Sequence, residues 1–171
     1  MENIASKVKR HSLEDVFSSR IKKFQKLMRY KIREILLVSS IYDNYLFEED
    51  GRLYELIREE YQSLNLSFAP ELIHVTSGEE ALEMLSSEHS YDLIITTLHI
   101  EDMHVVKFAQ MVRQSGINLP IVLLAYDNRE RKELTTNYDT SIFERIFIWS
   151  GDYRLLIAIV KYVEDRVNVD N

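Results

Sequence analysis

The chain has 171 residues, long enough to bury a core without covalent staples. It contains no cysteine, which excludes disulfides, thiol nucleophiles and cysteine-based zinc sites together. Its net charge of −7 joins two unlike parts: residues 1–33 carry ten basic side chains against Glu2, Glu14 and Asp15 (+7), and residues 34–171 carry 11 basic and 25 acidic groups (−14). The asymmetry divides the chain into a basic extension, residues 1–33, and an acidic domain, residues 34–171. No apolar run approaches the ~20 residues of a membrane span. The first residues, MENIASKVKRHSLEDVF, lack the apolar core of a secretory signal. A cytoplasmic protein is expected.

Residues 12–32 read as an amphipathic helix. Ser12 suits the cap, and Glu14 and Asp15 suit the positive end of the helix dipole. Leu13, Phe17, Ile21, Phe24 and Met28 recur at spacings of 4, 4, 3 and 4, which lines them up along one stripe. So apolar a stripe calls for a packing partner, either the acidic domain or a second copy in a homodimer. Nucleic acid is not expected, because no helix-turn-helix pattern or stacking platform accompanies the basic charges.

From Glu34 onward the hydrophobic period changes repeatedly. Ile35-Leu36-Leu37-Val38 is a continuous apolar run, as in a strand covered on both faces. An acidic stretch follows, with Asp43 and Glu48-Glu49-Asp50, read as a solvated loop rather than a set of metal ligands. Leu53, Leu56, Ile57, Tyr61 and Leu64 then repeat at helical intervals. Leu72–Val75 is a second strand, and Ser77 caps a helix over 79–87. Leu93–Ile95 is a third strand, preceding a helix over 103–114. Ile121–Leu124 is the fourth strand, with a short helix after Asn128. Ile146–Trp149 is the fifth strand, and Tyr153–Arg166 forms the closing helix.

Alternation of this kind predicts an α/β fold, a parallel sheet of five strands doubly wound with helices through right-handed crossovers. A functional site then belongs at the carboxyl ends of the strands. Those ends carry Ser39 and Ser40, Thr76, Thr97, Ala125, and Trp149 with Ser150. They offer hydroxyls, a methyl and an indole, with no evident acid, base or cation. Glu101 and Asp102 follow the third strand closely and are read as caps for the next helix. His99 and His104 lack the third ligand a zinc site needs. Neither a metal nor a cofactor is expected.

Over residues 34–168 the sequence resembles a response-regulator receiver (CheY-like) domain. The motifs are Glu34–Val38 for the first strand, Thr76–Leu82 with its GEEAL for the second-strand exit, Tyr91–Thr96 for the third strand and Leu119–Leu124 for the fourth. The resemblance implies strand order 2-1-3-4-5 with the N-terminal helix as an addition. In that family an acidic pair holds Mg²⁺, an Asp accepts the phosphoryl group, and a hydroxyl and a Lys complete the site. Mg²⁺ prefers carboxylate oxygens, and a carboxylate is the nucleophile. Carried over residue by residue, the acidic pair becomes Ser39 and Ser40, the acceptor Thr97, the hydroxyl Ala125 and the Lys Trp149, which is read as core. Phe147 keeps the aromatic type used as a switch.

What the resemblance then implies is a pseudoreceiver: a non-catalytic regulatory module of two-component type that works through protein contacts. Its partner would be a signalling enzyme, a kinase or a fused output domain, and it would form a homodimer. Arg129, Arg131, Lys132, Arg145 and Tyr153 mark the expected interaction surface. The alternatives are a phosphoacceptor with displaced Mg²⁺ ligands, or a small-molecule sensor using the emptied pocket.

Overall fold

The computed structural model describes residues 15–17, 19, 20, 30–40, 53–66 and 68–170. Five strands, β1 (Glu34–Val38), β2 (Glu71–Val75), β3 (Leu93–Thr97), β4 (Ile121–Ala125) and β5 (Arg145–Ile148), form one sheet in the order β2-β1-β3-β4-β5. Every pairing is parallel: Ile35 lies beside Leu72 on one side and Leu93 on the other, and Leu123 lies between Thr96 and Ile146. This is the expected order. All strands fall within one residue of the expected bounds except β3, which continues two residues further, through Thr96 and Thr97.

The helices are α1 (Leu53–Ser63), α2 (Gly78–Ser86), α3 (Val105–Gln114), α4 (Asn128–Asn137) and α5 (Arg154–Asp170). Side chains alternate across the sheet. Leu36, Val38, Ile94, Ile121 and Leu123 share a buried cluster with Ala81 of α2, Val105, Phe108, Ala109 and Val112 of α3, and Leu134 of α4. The other phase, Ile35, Leu37, Leu93, Ile95, Val122 and Leu124, is equally buried on the opposite face. Both faces of the central strands are therefore dry, which explains why these strands read as unbroken apolar runs. Each such side chain contributes about 1.5–3 kcal/mol through burial.

Helix ends follow local chemistry. The Ser77 hydroxyl accepts the Glu80 amide (3.1 Å) and Asp127 accepts the Glu130 amide (2.8 Å), and Glu80 and Glu130 reach back to the amides of Thr76 and Tyr126. Gly116, at φ 81°, ends α3 in the left-handed region that only glycine enters freely.

Residue contacts divide the chain into two units, Ile32–Val163 and a second made of Met1–Lys31 with Glu164–Asn171. In the second unit, residues 15–17, 19 and 20 are helical, and Phe17 is 68% exposed. Leu13, Ile21, Phe24 and Met28 lie outside the described residues, as do Asp43 and Glu48–Asp50. The expected helix over 12–32 does not reach its C-terminal bound, since residues 30–33 are non-helical. The Asn168 side chain accepts the Tyr30 amide (2.8 Å) and donates to the Tyr30 carbonyl (3.4 Å), while Lys31 stands 3.9 Å from Glu164. Those backbone groups of Tyr30 are engaged by a side chain rather than by helical i→i−4 bonds. The closing helix runs four residues past its expected end at Arg166, to Asp170.

Candidate functional site

Parallel strands deliver Ser39, Thr97, Ala125 and Trp149 to one edge of the sheet, as expected from their positions just at or after the last paired residues. Ser39, Thr97 and Ala125 are fully buried, and Trp149 is 5% exposed. The Ser39 hydroxyl pairs with His74 Nε2 at 2.5 Å, so it is turned sideways onto β2. The Thr97 hydroxyl donates to the His99 carbonyl (3.1 Å), which also accepts the Ser40 amide (3.0 Å). Trp149 continues the β5 ladder by donating its amide to the Ala125 carbonyl (2.7 Å). The edge thus holds neutral groups that bond one another.

The β3–α3 loop closes over this edge and differs from its expected role. Asp102 does not cap the next helix. Its carboxylate accepts the Gly78 and Glu79 amides of α2, at 2.7 and 2.9 Å. Partial burial pushes the Asp102 carboxyl up, but the Glu79 and Gly78 amides outweigh that and hold it below its ordinary value. Two unsatisfied N–H groups at a helix start explain the attraction, because α2 begins directly beside the loop. The same crowding appears at Gly78, where an added Cβ would stand 2.6 Å from Met103 Sδ. The following helix, α3, is capped instead by His104, whose Nδ1 accepts the Val106 amide (3.1 Å).

His99 and His104 are paired through a backbone bridge, but their rings diverge in use. His99 Nε2 lies 3.4 Å from Glu130 Oε1 of α4, and the other Glu130 oxygen accepts the Tyr126 amide (2.9 Å). His104 lies against Tyr138, ring centroids 4.5 Å apart and planes tilted by 31°. Among the described residues no three His, Cys, Asp or Glu side chains converge as a metal-ligand set. Sequence reasoning missed the His99–Glu130 pair, the tertiary cap by Asp102 and the local cap by His104. Only the D-x-x-E spacing of Asp127 and Glu130 was a visible signal, and it announces the helix start rather than the link to His99.

The expected interaction residues fall on two faces. Arg129, Arg131 and Lys132 are exposed on α4. Arg145 projects to the other face of β5, its guanidinium 5.3 Å from the Phe147 ring and 5.0 Å from the Tyr162 ring of α5. Phe147 meets Tyr162 edge-on at 5.7 Å. Ile146, not Phe147, is the β5 residue that packs with the α2–α4 core. Tyr153 is half-buried just before α5.

Solved receiver structures match this five-stranded parallel sheet with its surrounding helices. The fold is that of a response-regulator receiver domain. The response regulator TrrA from Thermotoga maritima, in complex with Mg(2+)-BeF, shares 23% identity at a TM-score of 0.52, over 77% of this chain and 98% of that one. The receiver domain of an HD domain-containing protein from Pseudomonas fluorescens Pf-5 shares 18% at 0.55, over 82% and 93%. The receiver domain of a putative Luxo repressor protein from Vibrio parahaemolyticus shares 15% at 0.55, over 82% and 95%. No family profile matches the sequence, and neither does any curated protein. Among the described residues no helix is long and apolar enough to cross a membrane.

Proposed function

We propose that this protein is a non-catalytic receiver-like regulatory module, a pseudoreceiver that signals through protein contacts without phosphoryl transfer to an aspartate. The observation that carries this reading is Thr97. It stands at the end of β3, fully buried, with its hydroxyl spent on the His99 carbonyl. An alcohol, unlike a carboxylate, cannot form an acyl phosphate. Mg²⁺, the ion the receiver fold implies, does not suit the described residues at this edge. Ser39 and Thr97 offer neutral oxygens already engaged in hydrogen bonds, and Asp102 is committed to the α2 amides.

A small-molecule sensor at the same edge is less well supported, because Trp149 and Ala125 are buried where a ligand would have to enter. The partner is a protein, and self-association as a homodimer uses the exposed cations of α4. The decisive experiment adds Mg²⁺ with beryllofluoride, and separately acetyl phosphate, to the full chain while backbone amide resonances are followed. No saturable shift at Ser39, Ser40 or Thr97 and no gain of phosphate mass are expected. Saturable beryllofluoride binding at those residues would establish an active acceptor with displaced ligands.

A further inference from the structure

Beside the β3–α3 loop, on the flank of α4, lies an open cleft of about 380 Å³. That is within the ~300–1,000 Å³ range of small-ligand sites. Its apolar lining is Leu98 and Leu134, and one wall is the ring pair His104 and Tyr138. Glu130 and Glu133, one turn apart on α4, supply the facing carboxylates.

The hydrogen bonds set which groups of the lining are engaged. His104 Nδ1 accepts the Val106 amide, so that side of the ring is engaged within its own helix start. The His99 ring faces Glu130. The Glu133 side chain is exposed and makes no hydrogen bond or ion pair with any described residue, and Tyr138 is 45% exposed. The cleft therefore presents two carboxylates beside the Tyr138 ring and an apolar lining. His99 and Glu130 gain no third ligating side chain among the described residues, which leaves a metal ion poorly served.

A planar cation satisfies all three surfaces at once. A guanidinium can stack on the Tyr138 face, direct paired N–H donors at a carboxylate and lay its methylene stem on Leu98 and Leu134. A compact ammonium would use the carboxylates but waste the Tyr138 face. We propose that this cleft binds a guanidinium group, carried by an arginine side chain of a peptide or by a free guanidino compound. The site adjoins the strand-end edge through His99 and Glu130 but does not depend on whether that edge accepts phosphate.

The test uses the full chain and three probes: acetyl-Ala-Arg-Ala-amide, agmatine, and the peptide with citrulline in place of arginine. Aromatic resonances of Tyr138 and His104 are followed during titration. The arginine peptide and agmatine are expected to give saturable shifts with Kd on the order of 1 mM, and the neutral citrulline peptide none. Glu133→Gln, at an exposed helix position, should weaken binding about fivefold with an unchanged circular dichroism spectrum. Tyr138→Leu should do likewise. Binding of the peptide alone would assign the site to a protein arginine, and binding of agmatine alone would assign it to a small molecule. The proposal is overturned if neither cation gives a saturable shift, if citrulline matches arginine, or if Glu133→Gln leaves affinity unchanged.

Discussion

At the carboxyl edge of the sheet, Ser39 and Thr97 are fully buried and their hydroxyls are bonded to His74 and to the His99 carbonyl. On α4, a few residues beyond the end of β4, Arg129, Arg131 and Lys132 stand exposed. One region has taken its polar groups into the interior and satisfied them there. The other leaves its charges for something outside the molecule. A buried polar group without a partner costs about 1–3 kcal/mol, so the edge bonds its hydroxyls inward. The contrast can be broken or sharpened by substitution.

The largest effect is expected at the edge. Trp149→Ala removes a buried indole and should cost about 4 kcal/mol in urea unfolding. A loss below about 1 kcal/mol would mean that the ring is not part of the core and that the edge can open.

Asp102 gives a smaller effect with a defined pH dependence. Asp102→Asn weakens two amide hydrogen bonds at the start of α2 and should cost about 1 kcal/mol at neutral pH. Its folded carboxyl sits below the ordinary value of 3.8, so the stabilisation is complete above the unfolded value and is lost as pH falls through the folded one. The difference between wild type and variant should therefore shrink below about pH 4. A difference independent of pH would show that the carboxylate charge is irrelevant to the cap.

The smallest change in stability is expected on α4. Reversing Arg131 and Lys132 to Glu should move unfolding by no more than about 0.5 kcal/mol, because both are exposed. The same variant should lower self-association measured by sedimentation, and added salt should imitate it. A dimer indifferent to both treatments would remove α4 from the interface.

Much of this architecture was legible in the residues. Runs such as Leu93-Ile94-Ile95 and Ile121-Val122-Leu123-Leu124 read as covered strands because both of their faces are in fact dry. Ser77 announced α2 because a cap acts within one turn of its own helix. The strand-end residues were equally readable, since strand ends define the edge of a parallel sheet. The uses of those residues were not. Nothing near Asp102 in the chain indicates that it serves α2, 24 residues earlier, rather than α3. His99 meets Glu130 across 31 residues, and Tyr30 meets Asn168 across 138. Arg145 was expected beside the α4 cations on a surface shared by α4, β5 and α5, and only the tertiary structure shows its guanidinium set against the Phe147 and Tyr162 rings.

By itself the sequence determined the period of each element, and therefore an α/β chain with neutral residues at its strand ends and a basic segment ahead of an acidic domain. Periodicity and capping are local properties, decided within a few residues. The tertiary structure alone decided which groups those neutral residues bond, that the β3–α3 loop caps a helix behind it, and that a cleft with two carboxylates and an aromatic wall opens beside α4. Those facts depend on through-space distances between residues far apart in the chain, and no local pattern encodes them.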